Sequence, residues 1–334
     1  MQFDRMIHTV DSHTEGNPTR IIVSGFGDVR GSTVAEKREY VMTHMDDLRK
    51  MLLHEPRGGG LNCAVLPLPP CDPTADVCAI IMEQDEYVPM CGHCIIGLAT
   101  TLVELNLVKR EVPRTTVVIE TLAGLVTAEV ETSGREVGPV TLRNVPSFLA
   151  QQDVELLLSA GETITADIAF GGDFYICVAA DLLGLDILPS SAPEIIHHAG
   201  LVRAAGESLA VVHPTRPDLN RAYMVMFYRQ DAIDPTTYRS VVVAPPGAID
   251  RSPCGTGTSA LLARLVARGL LQRGQTLTNH GIVGTAFQAL VAESTSIGNL
   301  SAIVPAITGR AYLTGFHQWV LDPADPFPSG FTLH

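Results

Sequence analysis

Two cysteine motifs, set half a chain apart, hold most of the chemistry this sequence can offer. One reads Pro89-Met90-Cys91-Gly92-His93 and the other Asp250-Arg251-Ser252-Pro253-Cys254-Gly255-Thr256-Gly257-Thr258. Each Cys-Gly precedes apolar residues at helical spacing. These are Ile95, Ile96, Leu98, Ala99, Leu102, Val103 and Leu105 in one motif, and Leu261, Leu262, Leu265 and Val266 in the other. Both cysteines therefore stand where a helix begins, where unpaired N–H groups and the helix dipole favour a thiolate. Two such cysteines in one chain suggest a duplicated half-site. A thiolate on one face of an α-carbon and a thiol on the other can remove its proton and return one with inversion, then exchange roles for the reverse reaction. That chemistry needs no metal and no cofactor. Gly92 and Gly255 let backbone N–H groups approach a substrate carboxylate closely. Asp250 offers an acceptor for the substrate nitrogen, and His93 and Thr256 offer further hydrogen bonds.

Other chemistries compete for the same residues. Cys91-Gly92-His93-Cys94 is also the C-x-x-C of a thiol–disulfide oxidoreductase. That reading leaves Cys254 without a role, and Met90 stands where thioredoxin-like motifs usually carry an aromatic residue. A zinc site from Cys91, His93 and Cys94 lacks a second closely spaced ligand pair, so no metal is expected. Cys94 lies one helical turn beyond Cys91 and reads as a packing residue. Asp11-Ser12-His13 has the residue types of a triad, but three sequence neighbours cannot align as one. It reads as a strand end before a tight turn. The run Glu55-Pro56-Arg57-Gly58-Gly59-Gly60 lacks the Lys and Ser/Thr of a phosphate loop. A non-catalytic amino-acid-binding protein is a further alternative, which the two intact cysteines oppose.

These motifs need a scaffold, and composition bounds it. Hydrophobic residues make up 46% of 334 and charged ones 18%, which suits a compact chain with a large core rather than a disordered one. A net charge of −13 without a basic run argues against nucleic acid as a partner. The seven cysteines form an odd set in a chain with a good core, which points to a reducing compartment rather than a disulfide framework. No apolar stretch reaches the roughly 18 residues of a membrane span. The opening Met-Gln-Phe-Asp-Arg-Met shows no signal-peptide core. A cytoplasmic enzyme with a small-molecule substrate is expected, with a homodimer as a possible assembly.

Strand-like runs dominate: 21–23, 77–82, 115–120, 125–130, 176–179, 223–228 and 241–243. Helical patterns cover about 35–53, 94–107, 152–159, 192–207 and 258–270. The class is mixed α/β, or α+β, with one internal duplication. Asn106 closes the first cysteine-led helix, and the Gly269 to Gly274 stretch closes the second. The division expected is 1–150 and 151–309, with 310–334 packing back on the first domain.

The chain resembles the proline racemase superfamily. The resemblance rests on Asp11-Ser12-His13-Thr14, Pro18-Thr19-Arg20, Ala35-Glu36-Lys37, Glu55-Pro56-Arg57-Gly58, Met90-Cys91-Gly92-His93, Asn144-Val145-Pro146, Gly171-Gly172, Asp250 to Ala260 and Ile307-Thr308-Gly309. It implies a diaminopimelate-epimerase-like fold of two pseudo-symmetric domains, each with a strand-rich layer around a central helix. It also implies a cofactor-independent isomerase with Cys91 and Cys254 as the acid/base pair. Substrate contacts then fall on Gly92, His93, Asp250, Gly255 and Thr256. Dehydratase members often carry Thr or Ser at one catalytic position, whereas this chain keeps cysteine at both. Proline racemases resembling it carry aromatic residues where this chain has Cys63 and Ala244, and the smaller side chains leave room for a ring hydroxyl. Tyr223 stands where an epimerase strand carries a histidine. The resemblance therefore implies 4-hydroxyproline 2-epimerase first, with proline racemase and trans-3-hydroxyproline dehydratase as alternatives.

Overall fold

A computed structural model describes residues 3–159, 161–217 and 219–333. The chain divides into two compact units: residues up to Leu142 together with those from Arg310 onward, and Arg143–Gly309. Among the described residues no helix is long and apolar enough to cross a membrane.

The N-terminal unit is a ribbon of strands in the order Ala311–Leu321, Arg5–Thr14, Asn17–Ser24, Cys63–Leu68, Val77–Met82, Arg114–Thr121 and Gly124–Ser133. Successive pairings run antiparallel, antiparallel, parallel, antiparallel, parallel, antiparallel. Glu15 and Gly16, both at positive φ, make the two-residue turn between Thr14 and Asn17. Each parallel step needs a crossover, and helices supply it. Helices α1 (Val34–His44) and α2 (Asp46–Leu53) lie before Cys63, and α3 (Gly92–Glu104) before Arg114. The periodicity predicts one helix over 35–53. Met45 breaks it in two, closing α1 and opening α2 at φ −140.

The C-terminal unit repeats this plan. Its strands follow the order Phe148–Leu157, Thr163–Phe170, Phe174–Ala179, Ala222–Gln230, Thr237–Ala244, Leu277–His280, Ala286–Ile297. The sequence of antiparallel and parallel steps is the same as in the N-terminal unit. Helices α4 (Ala192–Gly206) and α5 (Gly255–Ala267) occupy the two crossovers. Leu300–Gly309 extends the ribbon by one strand. The duplication visible in the cysteine motifs thus extends to the order of whole elements.

Each unit places one helix centrally. In α3, residues Gly92 to Val103 are all buried, and in α5, Gly255 to Leu265. A helix buried on every side must be surrounded by other elements, and both consist almost wholly of small and apolar residues. The remaining core packs on the outer faces. Leu48, Leu52, Leu66 and Ile80 fill it in the N-terminal unit, and Phe148, Ile176, Val225 and Val241 in the C-terminal unit.

One expected helix is absent. Residues 152–159 belong mostly to the strand Phe148–Leu157, paired with Thr163–Phe170. Its register slips between Leu149 and Gln151 and again between Gln151 and Val154, with Asp153 at φ 52. These bulges break the alternation of apolar residues, and the resulting pattern imitates a helical period.

Candidate active site

Both cysteines of the sequence motifs occupy N-cap positions, Cys91 of α3 and Cys254 of α5, and each helix runs for 13 residues. Both helices also end alike. Leu107 N–H returns to Leu102 O at 2.8 Å and Asn106 N–H to Val103 O at 3.2 Å, around Asn106 at φ 53. Leu270 N–H returns to Leu265 O at 2.9 Å and Gly269 N–H to Val266 O at 3.0 Å, around Gly269 at φ 70. This is the left-handed helix stop in which two orphan carbonyls are satisfied.

In the N-terminal unit, Cys91 is half-buried and its Sγ lies 3.1 Å from His93 Nδ1. His93 is buried, with Nε2 at 3.0 Å from Asn17 Nδ2. Its carbonyl accepts from Thr14 Oγ1 at 2.8 Å. Cys63, at the start of its strand, and Cys94, in the first turn of α3, bury their thiols against the same ring. Hydrogen bonds from Cys63 and then Cys94 hold the Cys91 thiol well below the usual thiol range. Burial opposes them, and the positive His93 reinforces them. Burial pulls the His93 imidazole down, but the charge of Cys91 overrides it and the net shift is well upward. Nδ1 carries its hydrogen toward Sγ, because Nε2 faces the Asn17 amide nitrogen, which can only donate, and the thiolate is the favoured state of Cys91. Cys63 and Cys94 are both shifted upward and remain thiols, Cys63 chiefly by its bond to Cys91 and Cys94 by burial.

In the C-terminal unit, Cys254 is 8% exposed and held at φ 61, ψ 114. Residues other than glycine rarely adopt such positive φ, and an outlier of this kind is a pointer to a functional constraint. Its Sγ accepts from Gly257 N at 3.4 Å and lies 3.6 Å from both Tyr175 Oη and Thr256 Oγ1. A Cβ at residue 257 would stand 3.2 Å from that sulfur and 2.9 Å from Val242, so glycine is needed for the approach. Tyr175 Oη and Thr256 Oγ1 are 2.6 Å apart. Burial first, and the charge of Asp250 second, push the Cys254 thiol up to about 12. The hydroxyls of Thr256 and Tyr175 and the Gly257 amide oppose the rise. Cys254 is therefore a thiol where Cys91 is a thiolate.

The other expected contacts lie as follows. Gly92 and Gly255 are the first helical residues after each cysteine and are buried. Asp250 Oδ1 accepts from Ser252 N and Oγ, both at 2.8 Å, and Ser252 Oγ in turn accepts from Cys254 N at 3.1 Å. Asp250 thus builds the turn that delivers Cys254. Tyr223 Oη donates to Asp173 Oδ2 at 2.6 Å. Sequence reasoning missed Tyr175, Asp173 and Asn17. Tyr175 sits inside an apolar strand and reads as core, and only the folded pairing brings its hydroxyl to Thr256. Cys63, His93 and Cys94 have one ligand atom each within 4.8 Å of the others, an arrangement of potential metal donors.

The family described as proline racemase matches residues 9–332. A 4-hydroxyproline 2-epimerase of Streptosporangium roseum is 42% identical over 100% of both chains. A proline racemase of Clostridioides difficile is 39% identical, again over 100% of both. A solved hydroxyproline epimerase from Agrobacterium vitis, with bound trans-4-hydroxy-L-proline, is 35% identical. It superposes with a TM-score of 0.91, covering 100% of this chain and 97% of its own.

Proposed function

The chain belongs to the proline racemase family, and we propose that it is a two-base epimerase inverting the α-carbon of 4-hydroxyproline without a cofactor. One observation carries the mechanism: two equivalent buried helices, each N-capped by a cysteine, with opposite protonation preferences at the two sulfurs. In one direction the Cys91 thiolate takes the α-proton and the Cys254 thiol supplies a proton to the opposite face. In the other direction the roles exchange. The N–H groups that open α3 and α5, beginning at Gly92 and Gly255, stabilise the substrate carboxylate and the charge that develops on it. His93 favours the Cys91 thiolate, and the Thr256 hydroxyl supports Cys254 when the roles exchange and it acts as base. Asp250 and Tyr223 serve the substrate nitrogen and ring. All seven cysteines are free, which supports a cytoplasmic setting.

The choice of 4-hydroxyproline rests on the 42% relative, on the hydroxyproline-bound structure, and on the small Cys63 and Ala244, where the family resemblance implies aromatic residues in proline racemases. The second reading is proline racemase, favoured by the relative at 39%. Cysteine at both positions speaks against a dehydratase. The test is a panel of proline, 4-hydroxyproline and 3-hydroxyproline stereoisomers in deuterated water. Inversion with deuterium at the α-carbon is expected, with kcat/KM for 4-hydroxyproline above that for proline by up to about 100-fold, the worth of one added polar contact. Ala244→Phe is expected to move the preference toward proline. Equal or better turnover of proline by the unaltered enzyme promotes the second reading, and water loss in place of inversion contradicts both.

A further inference from the structure

The thiols of Cys63 and Cys94 take no part in the proton transfers proposed above, yet they lie with His93 in one buried cluster. We propose that Cys63 Sγ, Cys94 Sγ and His93 Nε2 form a binding site for a thiophilic divalent cation, Zn2+ foremost, within the N-terminal unit, and that filling it stops turnover.

The donors and their spacing support this. Two sulfurs and an imidazole nitrogen suit zinc and other soft cations and repel hard ones such as Mg2+. One donor atom from each of the three residues, Cys63, His93 and Cys94, lies within 4.8 Å of the others. His93 Nε2 and Cys94 Sγ are 3.5 Å apart. Zn–N near 2.0–2.1 Å and Zn–S near 2.3 Å at a tetrahedral angle require about 3.6 Å between those donors. The ring is already oriented from outside. Its other nitrogen, Nδ1, is 3.1 Å from Cys91 Sγ, and the residue's carbonyl is fixed by Thr14 Oγ1 at 2.8 Å. A ligating histidine usually has such an acceptor for its second N–H, and here the acceptor is the proposed catalytic sulfur. Asn17 Nδ2, at 3.0 Å from Nε2, occupies the direction the cation takes and must give way. Along the sequence, zinc fails because Cys91, His93 and Cys94 lack a second close-spaced pair. The fold brings Cys63 from a distant strand to complete three donors and leaves Cys91 outside them.

Inhibition rests on the proposed function, because the site and the Cys91 half-site share His93. Binding does not, so the two are read separately. The full chain, kept reduced with a thiol-free phosphine, is titrated with Co2+ and then Zn2+ in the absence of substrate. Tetrahedral thiolate-bound Co2+ bands at one equivalent per chain, bleached by Zn2+, are expected. Zn2+ at that stoichiometry should abolish inversion, and a chelator should restore it. Cys94→Ala is expected to lose Zn2+ affinity by about 100-fold or more, beyond the roughly 10–100-fold that losing an outer partner costs. Cys63→Ser provides the same binding test if Cys94→Ala does not fold. No tetrahedral Co2+ bands with the unaltered chain, or unchanged Zn2+ affinity in the folded variants, overturns the site. Stoichiometric binding without inhibition overturns its control of turnover. The spectra need no substrate, so they report on the site even in a chain that inverts no proline derivative.

Discussion

The two units place the same parts at the same points and surround them with different chemistry. In each, a cysteine caps a central helix of 13 residues, and the residue two positions later is held by the start of the unit's third strand. In the N-terminal unit that residue is His93, held by Asn17; in the C-terminal unit it is Thr256, held by Tyr175. The hairpin turn before that strand also meets the helix in both. Thr14 Oγ1 donates to the His93 carbonyl, while Gly171 leaves a Cβ position only 2.1 Å from the Thr256 carbonyl. The contrast lies in charge. Hydrogen bonds from Cys63 and Cys94, with His93 beside them, favour the Cys91 thiolate, whereas burial and the charge of Asp250 keep Cys254 a thiol against the pull of its two hydroxyl neighbours. The helix N-terminus alone therefore does not set the state of the sulfur, since both sulfurs have one. The scaffold fixes position, and the neighbours fix protonation.

The largest expected effect removes either sulfur. Cys91→Ser and Cys254→Ser should each lower inversion by about 10³–10⁴-fold or more, the full worth of a general acid or base, because serine cannot supply a thiolate near neutral pH. Polarimetry on purified, folded variants checks this. Near-normal inversion by either variant would dissolve the equivalence of the two half-sites.

The second contrast concerns anchoring. Helix α5 carries Arg264, and Arg268 follows at its end; both bond to the buried Asp167, at 2.6 Å and 2.7 Å through Nε. Helix α3 has no Arg, Lys, Asp or Glu before Glu104. Asp167→Ala should therefore destabilise the protein by about 3–5 kcal/mol, since it leaves buried cationic groups unpaired. Equilibrium urea unfolding measures it, and a loss below about 1 kcal/mol would mean that apolar packing anchors α5 as it does α3.

Tyr175→Phe tests the hydroxyl pocket. The Tyr175 hydroxyl lowers the Cys254 pKa, so its loss should raise it further and shift the alkaline limb of the pH–rate profile upward. Turnover that uses Cys254 as base should fall about tenfold, the worth of one hydrogen bond to a charged group. An unshifted limb would assign Tyr175 to packing alone.

The smallest effects fall at the helix stops. Gly269→Ala should cost about 1 kcal/mol, because φ 70 is unfavourable for a residue with a Cβ even in open space. Asn106→Gly should gain about 0.5 kcal/mol at the equivalent position. Thermal unfolding resolves both signs.

These stops were legible in the sequence, as were the two N-caps and the strand Val77–Met82. Each depends on local chemistry: a glycine or asparagine past an apolar period, or a run of apolar residues between turns. What stayed hidden depends on distant pairing. Tyr175 meets Thr256 across 81 positions. Cys63 joins His93 through the parallel pairing of its strand with the one that begins at Asn17. The strand over 148–157 is disguised by its bulges. Asp250 reads as a substrate ligand by type, and only the fold shows that two of its bonds also build the turn before Cys254.

The central claim is that each sulfur serves one face of the same carbon. The most direct test is α-proton exchange in deuterated water, measured separately for the two α-epimers of 4-hydroxyproline in Cys91→Ser and Cys254→Ser. Each variant keeps one base, so each should exchange one epimer without inverting it, and the two variants should exchange opposite epimers. Exchange of the same epimer by both variants, or of both epimers by either one, would contradict the account.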